Sequence, residues 1–153
     1  MTASGSLPPE VQRALLERTL IPGAIIHLFC PFTNPPKDKF LLLVCADPNP
    51  VVFIINSTPH PFILERFMDL QIPLDPSVYT FLDRTSYIDC SSPKDSLTME
   101  ELVEMIMRDR TAGWRMEIND QTRTAVVGAI SRNVTLSPIM RNRLLAGLAR
   151  ETP

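Results

Sequence analysis

The feature that most constrains the fold is a change in hydrophobic period along the chain. Up to about residue 92 the apolar residues lie in short runs, rich in β-branched and aromatic side chains, and many of the 15 prolines separate these runs. After residue 98 the apolar residues recur at intervals of three and four, the spacing of an amphipathic helix. We therefore expect an α+β protein in which strands precede most of the helices.

Three of the short runs predict an antiparallel meander. They are Ala24 to Phe29, Phe40 to Ala46 and Val51 to Ile55. A loop rich in Pro, Asn and Lys joins the first two, and Asp47-Pro48-Asn49-Pro50 has the composition of a tight turn. We expect three antiparallel strands between residues 24 and 58.

Two later segments are shorter strand candidates. Phe67 to Leu74 follows a proline-rich stretch, and Thr85 to Cys90 alternates weakly between polar and apolar residues. We interpret Thr85 to Cys90 as the closing strand of a small β-barrel over residues 22–92, because closure removes exposed strand edges. The surrounding segment, Tyr79 to Ser91, is dense in functional groups, and Asp83 and Arg84 are placed to pair, but we assign it no reaction.

Helices are predicted at both ends of the chain. Pro8 to Leu20 reads as an N-terminal helix that stops at Pro22-Gly23. Three helices are expected in an extension over residues 97–150, and their predicted starts are Thr98 in a capping box, Asn119 or Asp120, and Ser137-Pro138. We expect no strand pairing after residue 98 and a single domain over residues 1–153.

Composition predicts a soluble cytoplasmic protein without metal or cofactor. Hydrophobic residues make up 44% and charged residues 21% of the chain, and no apolar run reaches the roughly 18–20 residues that a membrane-spanning helix needs. The polar N-terminus does not resemble a secretory signal. The three cysteines, Cys30, Cys45 and Cys90, lie in apolar segments. The two histidines, His27 and His60, are isolated from each other and from any Cys-x-x-Cys pair. We expect the three cysteines to be buried, reduced and free of metal.

Charge is segregated along the chain, although the net charge is only −2. Residues 105–153 hold eight Arg and four acidic residues, a net charge of +4, whereas residues 1–104 hold seven basic and thirteen acidic residues, a net charge of −6. The arginines either solvate helix faces and pair with the acidic body, or they bind a partner.

A candidate site lies where the second predicted strand begins and the third ends. Lys37-Asp38-Lys39 precedes the second strand, and Asn56-Ser57-Thr58 ends the third. A meander brings these places to one rim of the sheet, where an ammonium near a hydroxyl can bind a phosphate. Ordinary loop chemistry accounts for the same residues, and the sequence leaves both interpretations open.

The same region resembles a known family. The stretches Pro22 to Leu28, Lys37 to Val44 and Val51 to Ser57 look like the opening of MazF/PemK-type toxins, and the resemblance covers about residues 22–60. Those proteins are small SH3-like barrels of toxin-antitoxin pairs, and many are sequence-selective ribonucleases. The chain departs from the family pattern at Ala24, where the family has Asp, and at Lys39-Phe40, where the family has Arg-Pro.

The resemblance implies a metal-independent, cofactor-free endoribonuclease that cleaves single-stranded RNA by attack of the ribose 2′-hydroxyl on the adjacent phosphate. It implies that Lys39 stabilises the charge that develops on the phosphate and that Ser57 or Thr58 hydrogen-bonds to it. The implied partners are an antitoxin protein and a second copy of the chain. The implied RNA-binding residues are Lys37, Phe32 and Phe62.

A second hypothesis is a non-catalytic SH3-like barrel that binds a partner protein. In this interpretation the barrel is a scaffold, and the C-terminal helix that carries Arg141 and Arg143 docks the partner. A neighbouring antitoxin gene would favour the ribonuclease.

Overall fold

The computed structural model describes residues 7–58 and 67–149. These residues form an α+β fold with four α-helices and six antiparallel strands in one sheet that curls into a half-barrel. The strands are β1 (Ala24–Cys30), β2 (Lys37–Cys45), β3 (Val51–Asn56), β4 (Gln71–Leu74), β5 (Ser86–Asp89) and β6 (Gly113–Glu117), and the helices are α1 (Pro9–Thr19), α2 (Met99–Arg108), α3 (Asp120–Arg132) and α4 (Pro138–Leu148).

The predicted meander is confirmed. β2 pairs antiparallel with β1 and with β3, so that Phe40 lies opposite both His27 and Ile55. The strand order is β4-β5-β3-β2-β1-β6. Our interpretation of Thr85 to Cys90 as a closing strand is wrong, because β5 lies inside the sheet between β3 and β4. Within the described residues the sheet ends in two edges, β4 and β6.

The prediction that no strand pairs after residue 98 is also wrong. β6 lies between α2 and α3 and pairs antiparallel with β1, with Trp114 opposite Ile26. The segment alternates Trp114 and Met116 with Arg115 and Glu117, but this pattern is short and stands between two longer helical patterns. The backbone of β6 forms its hydrogen bonds with the edge of β1. Because β1 is far away in the sequence, the local pattern around Trp114 does not predict this pairing.

The sheet is covered on both faces, which explains the long apolar run Phe40 to Cys45 in its central strand β2. One face packs against α3 and α4, and we call it the α3–α4 face; its cluster includes Leu42, Phe53 and Leu144. The opposite face packs against α1 and α2, and we call it the α1–α2 face; its cluster includes Leu41 and Leu102. Side chains therefore alternate along β2 between two separate cores.

The predicted capping box of α2 is confirmed. The Thr98 hydroxyl accepts a hydrogen bond from the Glu101 backbone N–H at 3.1 Å, and the Glu101 carboxylate accepts one from the Thr98 N–H at 2.9 Å. Helix α2 also contacts α1 through an ion pair between Arg13 and Glu104.

We predict that Thr98→Ala lowers the free energy of unfolding by about 1 kcal/mol, because the Glu101 N–H at the start of α2 loses its acceptor. Urea denaturation of the two proteins measures the difference. Thr98→Ser keeps the hydroxyl and should stay close to the native protein. Equal losses in the two variants would contradict the capping role.

All three cysteines are buried, as expected. Burial raises the pKa of the Cys30 thiol to about 12 and also raises the pKa of Cys90. Among residues 7–58 and 67–149, no group of three or more His, Cys, Asp or Glu side chains is arranged to hold a metal ion. None of the helices in these two ranges has the length and apolar character needed to cross a membrane.

Candidate anion-binding cleft

A cleft of about 480 Å³ opens at the rim where β2 begins and β3 ends. One side comes from these two strands, and the other comes from the loop that leads into β5 and from the start of β5. The lining residues are Lys39, Phe40, Ile55, Ser57, Phe81, Leu82, Asp83, Arg84 and Ser86. Two residues of the predicted site, Lys39 and Ser57, therefore meet at one cleft.

The Lys39 ammonium is held by an amide. Its Nζ donates a hydrogen bond to Oδ1 of Asn56 at 2.7 Å, and Lys39 is half-buried. Burial lowers the pKa of Lys39, and the nearby charge of Lys37 lowers it further. Lys37 itself is exposed at the first position of β2. The structure thus gives the Lys39 ammonium a hydrogen-bond partner in Asn56.

The alternation of side chains along β2 and β3 indicates the face of the sheet that Lys39 leaves. Leu41 lies in the α1–α2 face, and Lys39 is two residues before it on the same strand. Ile55 lies in the α3–α4 face, and Ser57 follows it by two residues. The Lys39 side chain therefore leaves β2 on the α1–α2 face, whereas Ser57, directly after the end of β3, lines the cleft beside Ile55.

Thr58 is exposed and does not line the cleft. Of the two hydroxyl residues that the sequence left open, Ser57 is the one at this site. Ser86 contributes a second hydroxyl, which is buried in β5 and donates to the backbone carbonyl of Arg84 at 3.3 Å. That bond ties the backbone of Arg84 to the sheet.

Aromatic rings form one wall of the cleft. The rings of Phe40 and Phe81 are 4.9 Å apart at an interplanar angle of 54°. The ring of His27 lies 5.0 Å from Phe40, and the ring of Tyr79 lies 6.4 Å from Phe81. Such a packed row presents a rigid apolar surface beside the polar lining.

Tyr79 anchors the loop that carries this wall. Its hydroxyl is 2.6 Å from the hydroxyl of Thr122 on α3, and it accepts a hydrogen bond from the Asn119 N–H at 3.1 Å. Tyr79 is buried, and the N–H of Leu82 donates to its carbonyl at 3.0 Å. The loop is therefore fixed against α3 just before it reaches Asp83 and Arg84.

Asp83 and Arg84 are the charged residues that the loop brings to the cleft. The Arg84 Nε atom is 3.6 Å from Asp83 Oδ1, and the two side chains are 65% and 90% exposed. The sequence suggested this pair but did not place it at the predicted site. The position of this loop depends on its contacts with α3, and the sequence of the loop itself does not indicate those contacts.

The remaining predicted site residues that the structure describes do not line this cleft. Phe32 is half-buried and packs against the α1–α2 cluster, beside Leu41 and Leu102. Phe62 lies outside the described residues. Arg141 donates to the Asn133 carbonyl at 2.8 Å, and Arg143 donates to the Asn49 carbonyl at 3.0 Å.

Fold and site together describe an α+β protein whose half-barrel sheet carries a polar cleft with an aromatic wall. No protein-family model matches the chain, and no curated protein shows significant sequence similarity to it. The cleft is lined by the Arg84 guanidinium, the exposed Asp83 carboxylate, Lys39 and two hydroxyl residues, and its two cationic residues outnumber the one acid. This chemistry suits an anion such as a phosphate, and the aromatic wall suits a planar ring beside it.

Proposed function

We propose that the chain is a MazF/PemK-like toxin, an endoribonuclease that cleaves single-stranded RNA without a metal ion. The observation that carries the proposal is the cleft itself, where Lys39 and Ser57 from the resembling segment line one cavity with Arg84. A volume of about 480 Å³ lies within the range of small-molecule sites and accommodates one nucleotide unit.

The proposed reaction is an internal transfer at phosphorus. The ribose 2′-oxygen forms a bond to the adjacent phosphorus, its proton passes to solvent, and the bond from phosphorus to the 5′-oxygen of the next nucleotide breaks. The leaving oxygen takes a proton from water. The products are a 2′,3′-cyclic phosphate and a 5′-hydroxyl. Negative charge develops on the phosphoryl oxygens, where a positive side chain and the Ser57 hydroxyl stabilise it.

Single-stranded RNA is the substrate that the lining favours. An unpaired base can stack on an aromatic ring, and Phe81 and Phe40 offer ring surface beside the charged groups. The proposal includes the SH3-like character of the half-barrel, a cytoplasmic site of action, an antitoxin partner and a homodimer.

The alternative, a non-catalytic interaction module, rested on Arg141 and Arg143 as docking residues. Both guanidinium groups donate to backbone carbonyls of the same chain. These bonds use part of each guanidinium group within the chain, whereas the cleft residues Arg84 and Ser57 are exposed. We therefore place the ribonuclease first.

The test is cleavage of a mixed single-stranded RNA pool by purified protein in the presence of EDTA. We expect cleavage to persist, with 2′,3′-cyclic phosphate and 5′-hydroxyl ends. Ser57→Ala should lower the rate about a hundredfold, the typical effect of removing one donor to a developing oxyanion.

Thr58→Ala is the matched control, because it removes a neighbouring hydroxyl outside the cleft and should cut at the native rate. An RNA pool left intact by the native protein would contradict the proposed function. Equal rates for the native protein and Ser57→Ala would remove Ser57 from the site.

A further inference from the structure

We infer that Arg84 is the phosphate-binding cation of the cleft and that Lys39 is a positioning residue that holds the rim. This inference rests on the proposed function, since the phosphate belongs to the RNA backbone. It assigns a role to a residue outside the segment that suggested the site.

Lys39 is poorly placed to bind an anion in the cleft. Its ammonium already donates to Asn56 at 2.7 Å, and the pair lies on the α1–α2 face. Lys39 borders the cleft, and the neighbouring strand residues of the lining, Phe40 and Ile55, belong to the α3–α4 face. The hydrogen bond joins the start of β2 to the end of β3, so Lys39 holds these two strand ends together at the rim of the cleft.

Arg84 differs from Lys39 in its exposure and in the chemistry of its cationic group. Its side chain is 65% exposed and lines the cleft, and its backbone carbonyl is fixed by the buried hydroxyl of Ser86. A guanidinium offers a planar fork of N–H donors that matches two phosphate oxygens, whereas an ammonium acts as a point charge. Arg84 therefore has a backbone held by Ser86 and a guanidinium group that reaches solvent in the cleft.

The Asp83 carboxylate does not block this role. Its Oδ1 is 3.6 Å from the Arg84 Nε, which is longer than a hydrogen bond, and its side chain is 90% exposed. Exposed ion pairs of this kind contribute little to stability. A phosphate can replace the carboxylate at the guanidinium at small cost, while Asp83 turns to water.

The test uses a 2′-O-methyl oligoribonucleotide, which lacks the attacking hydroxyl and therefore reports binding alone. We expect Arg84→Ala to weaken binding about tenfold to a hundredfold, as loss of a charge-assisted hydrogen bond would do. The slope of log affinity against log salt should fall by about 0.7 for one lost phosphate contact with a single strand. Arg84→Lys should recover part of the affinity.

Two further variants make the comparison specific. Arg110→Ala removes an exposed arginine that does not line the cleft, and its affinity should stay within about threefold of native. Lys39→Met keeps an apolar stem of similar length and removes the ammonium; we expect its affinity to change less than that of Arg84→Ala and its salt slope to remain native. Circular dichroism melting of each variant verifies folding.

The outcomes separate the inference from the proposed function. If Arg84→Ala binds as the native protein does, or if Lys39→Met loses more affinity and salt slope than Arg84→Ala, the inference is overturned. If the native protein does not bind the oligonucleotide, it is overturned as well. If the native protein binds the oligonucleotide but does not cut RNA, the nuclease function fails, and the binding comparison still decides the role of Arg84.

Discussion

Gly147→Ala is expected to lower the free energy of unfolding by about 3 kcal/mol, at the upper end of the usual cost of overpacking. A Cβ atom at this position would lie 2.2 Å from the carbonyl oxygen of Val44 and 3.0 Å from the Cα atom of Cys45. Both are backbone atoms at the end of β2, a strand that pairs with β1 and β3, and they cannot move away as a side chain can. Helix α4 therefore packs directly on β2 because Gly147 has no side chain.

Gly128→Ala is the matched control for this prediction. Gly128 also lies inside a helix, α3, but an added Cβ atom would meet only the Arg132 guanidinium, at 3.1 Å. The end of a long side chain can shift, and alanine is favoured over glycine in a helix by about 1 kcal/mol. We expect a change between zero and a gain of about 1 kcal/mol.

Urea denaturation of the two variants and the native protein measures both effects under one condition. A large loss of unfolding free energy for Gly147→Ala, together with no loss or a gain for Gly128→Ala, would agree with close packing of α4 on β2. Similar small changes in both variants would show that α4 sits farther from the sheet.

The second large effect is expected at Asn133, which is 1% exposed. Its amide nitrogen lies 3.2 Å from the Cys90 carbonyl oxygen and 3.3 Å from that of Ser91, and it donates to both. Its oxygen accepts from the backbone N–H of Thr135 at 3.0 Å and from the Thr135 hydroxyl at 2.6 Å. One side chain thus joins the end of β5 to the turn between α3 and α4.

Asn133→Asp should destabilise the protein by about 3 kcal/mol, because the new carboxylate oxygen faces two carbonyl oxygens and has no donor there. Asn and Asp side chains have nearly equal shapes, so the loss of stability measures the exchange of a hydrogen-bond donor for an acceptor and not a change in packing. Thermal denaturation at neutral pH provides the measurement.

Asn142→Asp makes the same chemical change at an exposed position of α4 and should stay within about 0.5 kcal/mol of the native protein. If Asn133→Asp were as stable as Asn142→Asp, the described network around Asn133 would not be a source of stability.

The candidate site was only partly accessible from sequence. Lys39 and Ser57 could be placed at one rim because adjacent antiparallel strands bring the start of one beside the end of the next. Asn56 emerged as the partner of Lys39 only from the register, since a shift of one residue exchanges the two faces of a strand. Arg84 could not be placed, because its loop is positioned through the contact of Tyr79 with Thr122 on α3.

The sequence by itself determined the elements whose signals are local. The meander of β1, β2 and β3 follows from short β-rich runs and their turns, and the caps of α2, α3 and α4 follow from Thr98, Asn119 and Ser137. Only the tertiary structure decided the order of the strands. β6 joins the edge of β1, and β5 enters between β3 and β4, because backbone pairing over long chain distances depends on which edges the rest of the fold leaves available.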